Sequence, residues 1–536
     1  MKKNALTDHP MFLKRKWLEW DSSSIICIMV VAVVLFGASG LGYAATNYFV
    51  WKGNASPQTP FTNWAMAATS IQNAVDLTLA GDTVYVTNGT YDTGGAVTPG
   101  YALTNRVCLT RAITVRSMNG PANTIIKGAA ATIGTNGCGD DAVRCAFLTN
   151  GGSLIGFNLT NGYTMTNSDT IYDKSAGGIL LFTNSVVSNC VISGNTALYF
   201  DGGDSGAYAG GALLYDGGTL NDCTISGNHG NYGGGVYLRI GTMNNCTISG
   251  NHGNYGGGYW GSIWGSQFSM MNNCTISGNT AVNQGGGGRF GGVLDNCTIS
   301  GNTAGVHGGG LELWGDTTLN NCVVSGNTTT TGDGGGIYMN HLSTLSNCVI
   351  SGNTAANEGG GVWFQVGVGG DINYGTLYNC VISGNAANYG GGVYFWSGGA
   401  LNNCTVVSNT ATSYGGGFVM RDGASTGVVN NCIIWGNIHG IYSNFAVLGT
   451  GIINYSCSGP VQAGTANTGA DPLFAGQASG NYRLIKDSPC VNAGINQSWM
   501  TGAFDLDGHQ RVNKFIGIVD MGCYEYVPKG TLFSVP

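Results

Sequence analysis

Three residues of this chain are of types that could carry out acid–base chemistry together. His307, Asp333 and Glu358 occupy the same position, just before a glycine cluster, in successive copies of a repeated phrase. If the copies stack, two carboxylates would lie roughly 5 Å apart beside an imidazole. Like charges that close raise the pKa of one carboxyl, as acid–base work on a polysaccharide or a cation site requires. The alternative is three separate solvated side chains on turns of unequal length. Over eight copies the position is occupied by Tyr232, Tyr255, Gln284, His307, Asp333, Glu358, Tyr389 and Tyr414.

A second set of positions follows the glycines. On the short strand there, the outward residue in eight copies is Tyr237, Trp260, Phe290, Glu312, Tyr338, Trp363, Tyr394 or Val419. Six of the eight are aromatic, which predicts an exposed stripe of rings suited to stacking on sugars or on a protein partner. We take these six as candidate binding residues. The alternative is that strand propensity alone selects them, or that a loop covers them.

Ten copies of the phrase organise these positions. Between Cys190 and Cys432, a cysteine usually preceded by Asn is followed mostly by Thr-Ile-Ser-Gly-Asn or Val-Ile-Ser-Gly-Asn, a glycine cluster and an apolar strand. Successive cysteines lie 23 to 33 residues apart, a period typical of solenoids. Cys223 and Ile225 alternate with polar residues, which indicates a strand with one buried face.

The repeat predicts an all-β fold, a parallel β-helix solenoid. A leucine-rich repeat would alternate each strand with a helix or 3₁₀ segment, whereas here the rest of the unit is rich in Gly and in β-branched or aromatic residues. Stacked cysteines have parallel Cβ vectors that disfavour bridging, so we expect a ladder of buried thiols. The asparagines from Asn195 to Asn437 should form a second ladder at a turn, with left-handed backbone angles and amides bonded along the rod.

The first residues are typical of an export signal. Lys14-Arg15-Lys16 precedes an apolar stretch from Ile25 to Phe36 and then small residues, which predicts cleavage near Ala44 or Ala45. The alternative is an uncleaved membrane anchor. Charged residues are only 9% of the chain, and no basic run follows residue 20, so a nucleic-acid partner is not expected. We predict an extracellular or cell-surface protein.

Five regions follow from these patterns: 1–44, signal peptide or anchor; 45–92, N-terminal cap; 93–176, irregular first rungs; 177–437, ten-repeat β-helix; and 438–536, last rungs and C-terminal cap. Ser70 to Asp76 predicts a short capping helix with Ile71, Ala74 and Val75 on one side.

Two resemblances refine this interpretation. Gly-Gly-Gly-Val paired with Ile-Ser-Gly-Asn over residues 177–437 resembles the repeats of polymorphic outer-membrane proteins, within the pectin-lyase-like class of right-handed β-helices. Asp505-Leu506-Asp507-Gly508 and Asp520-Met521-Gly522-Cys523 resemble the tail of bacterial secreted β-helix proteins called choice-of-anchor. The tail resemblance implies a disulfide candidate, Cys490 with Cys523. We interpret the tail aspartates as turn and cap residues.

The class includes lyases, hydrolases, adhesins and inert fibres, so fold alone does not decide function. Residues 177–437 contain no Lys and three Arg, whereas lyases of the class typically pair a basic group with an acidic metal cluster. Gly139-Asp140-Asp141 resembles one element of a polygalacturonase-like site but lacks its partner motifs, and we interpret it as a loop.

We therefore favour a secreted or surface binding protein, adhesive or carbohydrate-binding through the outward aromatic stripe, whose partner is a polysaccharide or a cell-surface protein. We expect it to be associated with the outer membrane after export, with membrane contact only through the N-terminal segment or a separate anchor. The alternatives are a polysaccharide lyase or glycoside hydrolase, and a passive surface fibre. No cofactor or metal site is predicted, and nothing in the sequence supports calcium.

Overall fold

The computed structural model describes residues 44–198, 207–261, 269–340, 342–365, 375–421, 427–439, 442–512 and 517–528. Residues 45–536 form one compact unit. Residues 1–44 form another, of which only Ala44 is described, so the predicted export segment lies outside the described residues. The unit from 45 onward is a parallel β-helix with almost no helix, as the repeat predicts.

One turn of the coil contains up to four short strands, separated by tight bends. In one example, Gly218–Asn221 is followed by Thr224–Ser226, His229–Tyr232 and Val236–Leu238. The residue before each ladder cysteine has a left-handed backbone, with φ of 53° at Asp222, and this bend turns Leu220 and the cysteine toward the same core. Asn and Asp tolerate that conformation, which explains the recurring Asn-Cys pair.

The first sheet has fifteen strands, which stack in parallel. Its strands are Asn47–Val50, Thr83–Val86, Thr114–Ser117, Ser153–Ile155, Val186–Ser188, Gly218–Asn221, Gly241–Asn244, Ser269–Asn272, Val293–Asp295, Thr318–Asn320, Thr344–Ser346, Thr376–Tyr378, Gly399–Asn402, Gly427–Asn430 and Gly451–Asn454.

The second sheet has fourteen parallel strands and carries the repeated Ile-Ser segment. Its strands are Gly89–Tyr91, Thr124–Lys127, Asn158–Thr160, Val191–Ser193, Thr224–Ser226, Thr247–Ser249, Thr275–Ser277, Thr298–Ser300, Val323–Ser325, Val349–Ser351, Val381–Ser383, Thr405–Val407, Ile433–Trp435 and Cys457–Ser458.

The third sheet follows the glycine clusters and also has fourteen strands, of which the first pairs antiparallel. Its strands are Ala96–Val97, Thr104–Leu109, Val143–Leu148, Ile179–Leu181, Ala212–Leu214, Val236–Leu238, Tyr259–Gly261, Gly288–Phe290, Leu311–Leu313, Ile337–Met339, Val362–Phe364, Val393–Phe395, Phe418–Met420 and Phe445–Val447.

A fourth sheet of nine short strands lies between the second and third along the chain. Its strands are Thr196–Ala197, His229–Tyr232, His252–Tyr255, Thr280–Gln284, Thr303–Ala304, Thr328–Thr329, Thr354–Ala355, Ala386–Tyr389 and Thr410–Tyr414. An antiparallel hairpin, Phe474–Gly476 with Asn481–Leu484, belongs to the tail. The helices are Ile71–Val75 and Ile171–Lys174, with 3₁₀ turns at Trp64–Met66, Gln477–Ser479 and Ser498–Met500.

The predicted thiol ladder is present. The ten cysteines from Cys190 to Cys432 are free and buried. Phe157 occupies the same position on the rung before the ladder, and Ser456 occupies it on the rung after the ladder. Each thiol donates to a carbonyl two residues earlier in the chain, as Cys246 does to Asn244 at 3.3 Å. Burial raises the pKa of Cys190 and Cys380, so these thiols are protonated and inert.

The disulfide candidate is wrong. Cys490 and Cys523 are both free. Cys523 packs against Thr405, with Sγ at 3.2 Å from Oγ1, because its segment lies on the second sheet. Cys490 packs in a cluster with Cys457 and Met521 that does not include Cys523.

The predicted asparagine ladder is also present, but its backbone angles differ from the expectation. Each amide oxygen accepts from the preceding ladder asparagine, as Asn327 Oδ1 does from Asn302 Nδ2 at 2.9 Å and from its backbone N–H at 2.9 Å. The left-handed residues are the glycine just before, such as Gly301 with φ of 61°, and the residue before each cysteine. The ladder asparagines are needed for bonding rather than for their backbone angles.

The predicted capping helix forms at Ile71–Val75. Ser70 accepts from the backbone N–H of Asn73 at 3.3 Å, and Ile71, Ala74 and Val75 are buried. Gln72 Oε1 accepts from the N–H of Cys108 at 2.8 Å. The helix therefore covers the apolar end of the coil and supplies a partner to its first strand edge.

The tail folds back onto the outer face of the second sheet. Gly522 N donates to Asn431 O at 2.7 Å, and Asn403 Nδ2 donates to Asp520 O at 3.0 Å. Asp505 Oδ1 accepts from Asp507 N at 2.9 Å and His509 N at 2.7 Å, so Asp505 is a turn residue as predicted. Asp507 is instead ion-paired with Arg483, and Asp520 Oδ1 accepts from the distant Asn492 N at 2.6 Å.

The tail gives the protein a pH-dependent stability. Burial and neighbouring Asp520 raise the pKa of Glu525 from 4.5 to about 8, although Arg511 Nη2 lies 3.0 Å away. The folded state thus keeps a proton that the unfolded chain loses, and stability falls as pH rises from 4.5 toward 8. One such proton gives a slope of at most ~1.4 kcal/mol per pH unit. The denaturant midpoint of Glu525→Gln should change less with pH over this window than that of the unaltered protein. An equal dependence on pH in the two proteins would contradict the assignment.

Candidate functional site

One column of side chains brings the predicted acid–base residues together. Backbone bridges pair Gln284 with His307 and His307 with Asp333, and Gly334 N donates to the carbonyl of Glu358 at 2.9 Å. Glu358 pairs in turn with Tyr389, and Gln284 with Tyr255. We call Gln284, His307, Asp333 and Glu358 the polar column. They are half-buried and lie on four successive rungs.

His307 and Asp333 form the side-chain contact that bears on acid–base chemistry in the polar column. His307 Nδ1 lies 3.7 Å from Asp333 Oδ2. The other carboxylate oxygen accepts from Asn357 Nδ2 at 3.0 Å and from Glu358 N at 3.2 Å. Burial lowers the pKa of His307 and raises that of Asp333, with the Asn357 bond opposing the second shift. A neutral imidazole thus lies beside a carboxyl that ionises less readily than usual.

Glu358 is held by the strand that follows it. Its Oε2 accepts from Trp363 Nε1 at 2.9 Å. Burial raises the pKa of Glu358, and the nearby charge of Asp333 acts in the same direction, whereas the Trp363 bond opposes it. The Tyr394 side chain is a second hydrogen-bonding neighbour of this carboxylate. Each carboxylate is thus held by the protein, and lone pairs remain on both for a ligand.

The predicted aromatic stripe is present, but it is not exposed. The exposed fraction is only 4 to 7% for Trp260, Tyr338, Trp363 and Tyr394, and Tyr237 is half-buried. We call these five residues the aromatic layer. Side chains of the loop position cover it: His307 stacks on Tyr338 at 4.3 Å, and Tyr232 and Tyr255 lie edge-on to Trp260 at 5.0 and 6.0 Å. The layer supports the polar column and is not itself a binding face.

The prediction that Phe290 is an outward residue of the stripe is wrong. Arg289 pairs with Glu312 in the column of the layer, and Phe290 is fully buried in the core. The four consecutive glycines before Arg289 caused the error, because Gly288 is the inward residue of its strand. A Cβ there would lie 2.2 Å from Tyr259 Cε1, so the large ring of one rung fills the space that the next rung leaves.

Arg289 and Glu312 form a buried ion pair within the stripe. Arg289 Nε lies 3.0 Å from Glu312 Oε2, and the guanidinium is 4.6 Å from the ring centres of both Trp260 and Trp314. Trp314 Nε1 also donates to Glu312 at 2.8 Å. Burial raises the pKa of Glu312, and Arg289 opposes that shift. The pair is buried in the layer and so is not available to a ligand.

The remaining sequence candidates give no site. Asp141 accepts from Thr132 N at 3.0 Å, the bond of a surface turn. Within the described ranges, no group of three or more His, Cys, Asp or Glu could hold a metal ion. Over the same residues, no helix is long and apolar enough to cross a bilayer.

Comparison with known proteins bears on the fold. The family model described as "right handed beta helix region" matches residues 212–369 and 262–449. The chain folds as a right-handed parallel β-helix. The resemblance to polymorphic outer-membrane repeats and to choice-of-anchor tails stays a prediction. A search of curated proteins found no significant match.

Several solved structures resemble this β-helix at low identity. A mannuronan C-5 epimerase A-module from Azotobacter vinelandii is 17% identical, covering 75% of this chain and 94% of its own, with a TM-score of 0.35. A pectate lyase is 12% identical, covering 90% and 97%, with a TM-score of 0.33. A thermostable alpha-1,3-glucanase catalytic unit from Streptomyces thermodiastaticus is 14% identical, covering 81% and 71%, with a TM-score of 0.30. We draw no conclusion about activity from similarities this low.

Two tyrosines that flank the polar column were not among the candidate binding residues. Tyr255 stacks on Tyr232 at 5.5 Å, and Tyr389 stacks on Tyr414 at 5.8 Å. All four occupy the loop position of His307, so the sequence register already contained the signal. Strand alternation predicts outward residues at the position after the glycines and says nothing of this loop position.

Proposed function

We propose that this β-helix binds a polysaccharide along the polar column, as an exported or cell-surface protein. The observation that supports this most is the partly exposed column in which His307, Asp333 and Glu358 lie between two pairs of stacked tyrosines. Rings and hydrogen-bonding groups on one line are what a sugar chain requires, because sugars offer both apolar faces and hydroxyls.

The dimensions of the column suit an extended chain. Tyr255 and Tyr389 lie five rung steps apart, roughly 24 Å at the strand spacing of a sheet. Each is stacked on one face by its outer neighbour, Tyr232 or Tyr414. Both rings are half-buried, so each keeps an exposed part that a chain lying parallel to the axis would meet.

The binding proposal is tested with Tyr255→Ala and Tyr389→Ala on a panel of neutral, amino and acidic glycans. Each change removes one flanking ring and should weaken binding roughly tenfold, since ring stacking contributes about 0.5–1.5 kcal/mol beyond burial. Tyr85→Ala is the matched control, a half-exposed tyrosine on the first sheet. Binding unchanged in both variants, or equally weakened in the control, would reject the column as the site.

A second candidate function is catalysis, as a lyase or glycoside hydrolase. It is favoured by the 3.7 Å contact of His307 with Asp333 and by the raised pKa of Asp333 and Glu358. Reducing-sugar and unsaturated-product assays on the same panel decide between the two functions. Turnover that is lost in Asp333→Asn would establish the catalytic function over simple binding.

A further inference from the structure

The charges around the polar column select among polysaccharides, on the premise that the column binds one. Between residues 177 and 437 the chain has eleven Asp or Glu, three Arg and no Lys. A polymer of uronic acids needs cationic partners for its carboxylates. The three arginines are therefore decisive.

Each of these arginines is already held against an aromatic ring. Arg239 lies 4.1 Å from the ring centre of Tyr215, and Arg421 lies 3.3 Å from that of Trp396. Arg289 is enclosed by two tryptophans and paired with Glu312. Arg421 is near enough to lower the pKa of Glu358, but its guanidinium faces Trp396. An acidic polymer would thus meet carboxylates in the column and engaged arginines around it.

The polar column instead offers acceptors for a cation. Asp333 and Glu358 are half-buried, and Asp333 has only the neutral His307 beside its Oδ2. Carboxylates taken partly out of water are stabilised in ionised form by a positive charge within ~4–6 Å. The half-buried rings of Tyr255 and Tyr389 at the two ends attract cations as well, through their π-electrons.

From these contacts we infer that the ligand is a polysaccharide that carries protonated amines, in which amino sugars bear a free nitrogen. Ammonium groups spaced along the chain pair with Asp333 and Glu358, and others lie against the flanking tyrosine rings. Acylation of the nitrogen removes the charge and with it the preference.

The test compares three oligomers of equal length: glucosamine, N-acetylglucosamine and galacturonate hexamers, titrated calorimetrically into the full protein at mildly acidic pH. The glucosamine hexamer should bind at least about tenfold more tightly than the other two, and its affinity should fall with added salt. Asp333→Asn and Glu358→Gln keep the side-chain shapes. Each should lower the ratio of glucosamine-hexamer affinity to N-acetylglucosamine-hexamer affinity by about tenfold. Asp295→Asn on the first sheet, whose carboxylate also accepts from an Asn side chain, at 2.7 Å, should have no effect.

The outcomes separate this inference from the function on which it rests. Equal or tighter binding of the acetylated or galacturonate hexamer would overturn the amine assignment and leave polysaccharide binding in place. No binding of any hexamer would overturn both. Thermal unfolding of each variant shows whether a loss of binding reflects loss of fold.

Discussion

Asn302→Ala should destabilise the protein by about 3 kcal/mol, a large effect for one buried polar side chain. Asn302 Oδ1 accepts from both the backbone N–H and the side-chain amide of Asn279, at 2.9 and 3.0 Å. Its own amide donates to Ile276 O at 3.0 Å and to Asn327 Oδ1 at 2.9 Å. In the Ala variant Asn327 Oδ1 keeps the bond from the backbone N–H of residue 302, and Asn279 Nδ2 keeps its bond to Ile248 O. The backbone N–H of Asn279 and the carbonyl of Ile276 lose these bonds while buried, which costs ~1–3 kcal/mol for each group not rescued by water.

The measurement is denaturant unfolding combined with hydrogen exchange, because repeats of a solenoid can open locally. Exchange should speed up most at the amide of Asn279, which loses its acceptor. Asn254→Ala is the control, since that exposed side chain makes one 3.3 Å bond to Asn231. If Asn302→Ala were no more destabilising than the control, the amide ladder would not stabilise the fold.

Gly288→Val should also destabilise strongly, by about 2–3 kcal/mol, because it overpacks the core. The backbone of Gly288 does not have a positive φ, so the penalty is steric. Its Cβ would lie 2.2 to 2.5 Å from three ring atoms of Tyr259, which is fully buried. The chain has few ways to relieve this clash, since Tyr259 also packs edge-on against Phe290 at 5.3 Å.

A double-mutant cycle in chemical denaturation measures the clash directly. Gly288→Val combined with Tyr259→Ala should cost at least about 1 kcal/mol less than the sum of the single changes, since removing the ring makes room for valine. Tyr259→Phe is the matched control: it keeps the ring and removes a buried hydroxyl that has no hydrogen-bond partner among the described residues. The valine penalty should persist in the Phe background. Additive single changes would contradict the packing described for these two rungs.

Much of this fold could be predicted from the sequence because the repeated phrase identifies the equivalent positions on successive rungs. Each cysteine marks a place on the rung, and the pairing of Ile225 with Ile248, and of Ile248 with Ile276, follows that register. The register failed at Gly288, where a strand residue is itself a glycine and cannot be told from the turn before it. The tail pairing of Cys490 with Cys523 also failed, because the resemblance that implied it carries no information about packing: Cys523 packs on Thr405 and Cys490 lies beside Cys457.

The candidate site was predictable in its residues and not in its exposure. The register placed His307, Asp333 and Glu358 in one column, as the structure does. Alternation along the strand assigned Trp363 and Tyr338 outward, which is correct for the sheet. Side chains from the neighbouring loop position then cover them, and a period of two carries no information about what lies above a strand.

Hydroxyl-radical footprinting with a bound glycan tests the central claim most directly, since it locates the ligand on the rod. Binding along the polar column predicts protection of Tyr255, His307 and Tyr389, with unchanged reactivity at Tyr85 on the first sheet. Protection confined to another face, with Tyr255 and Tyr389 as reactive as in the free protein, would contradict it.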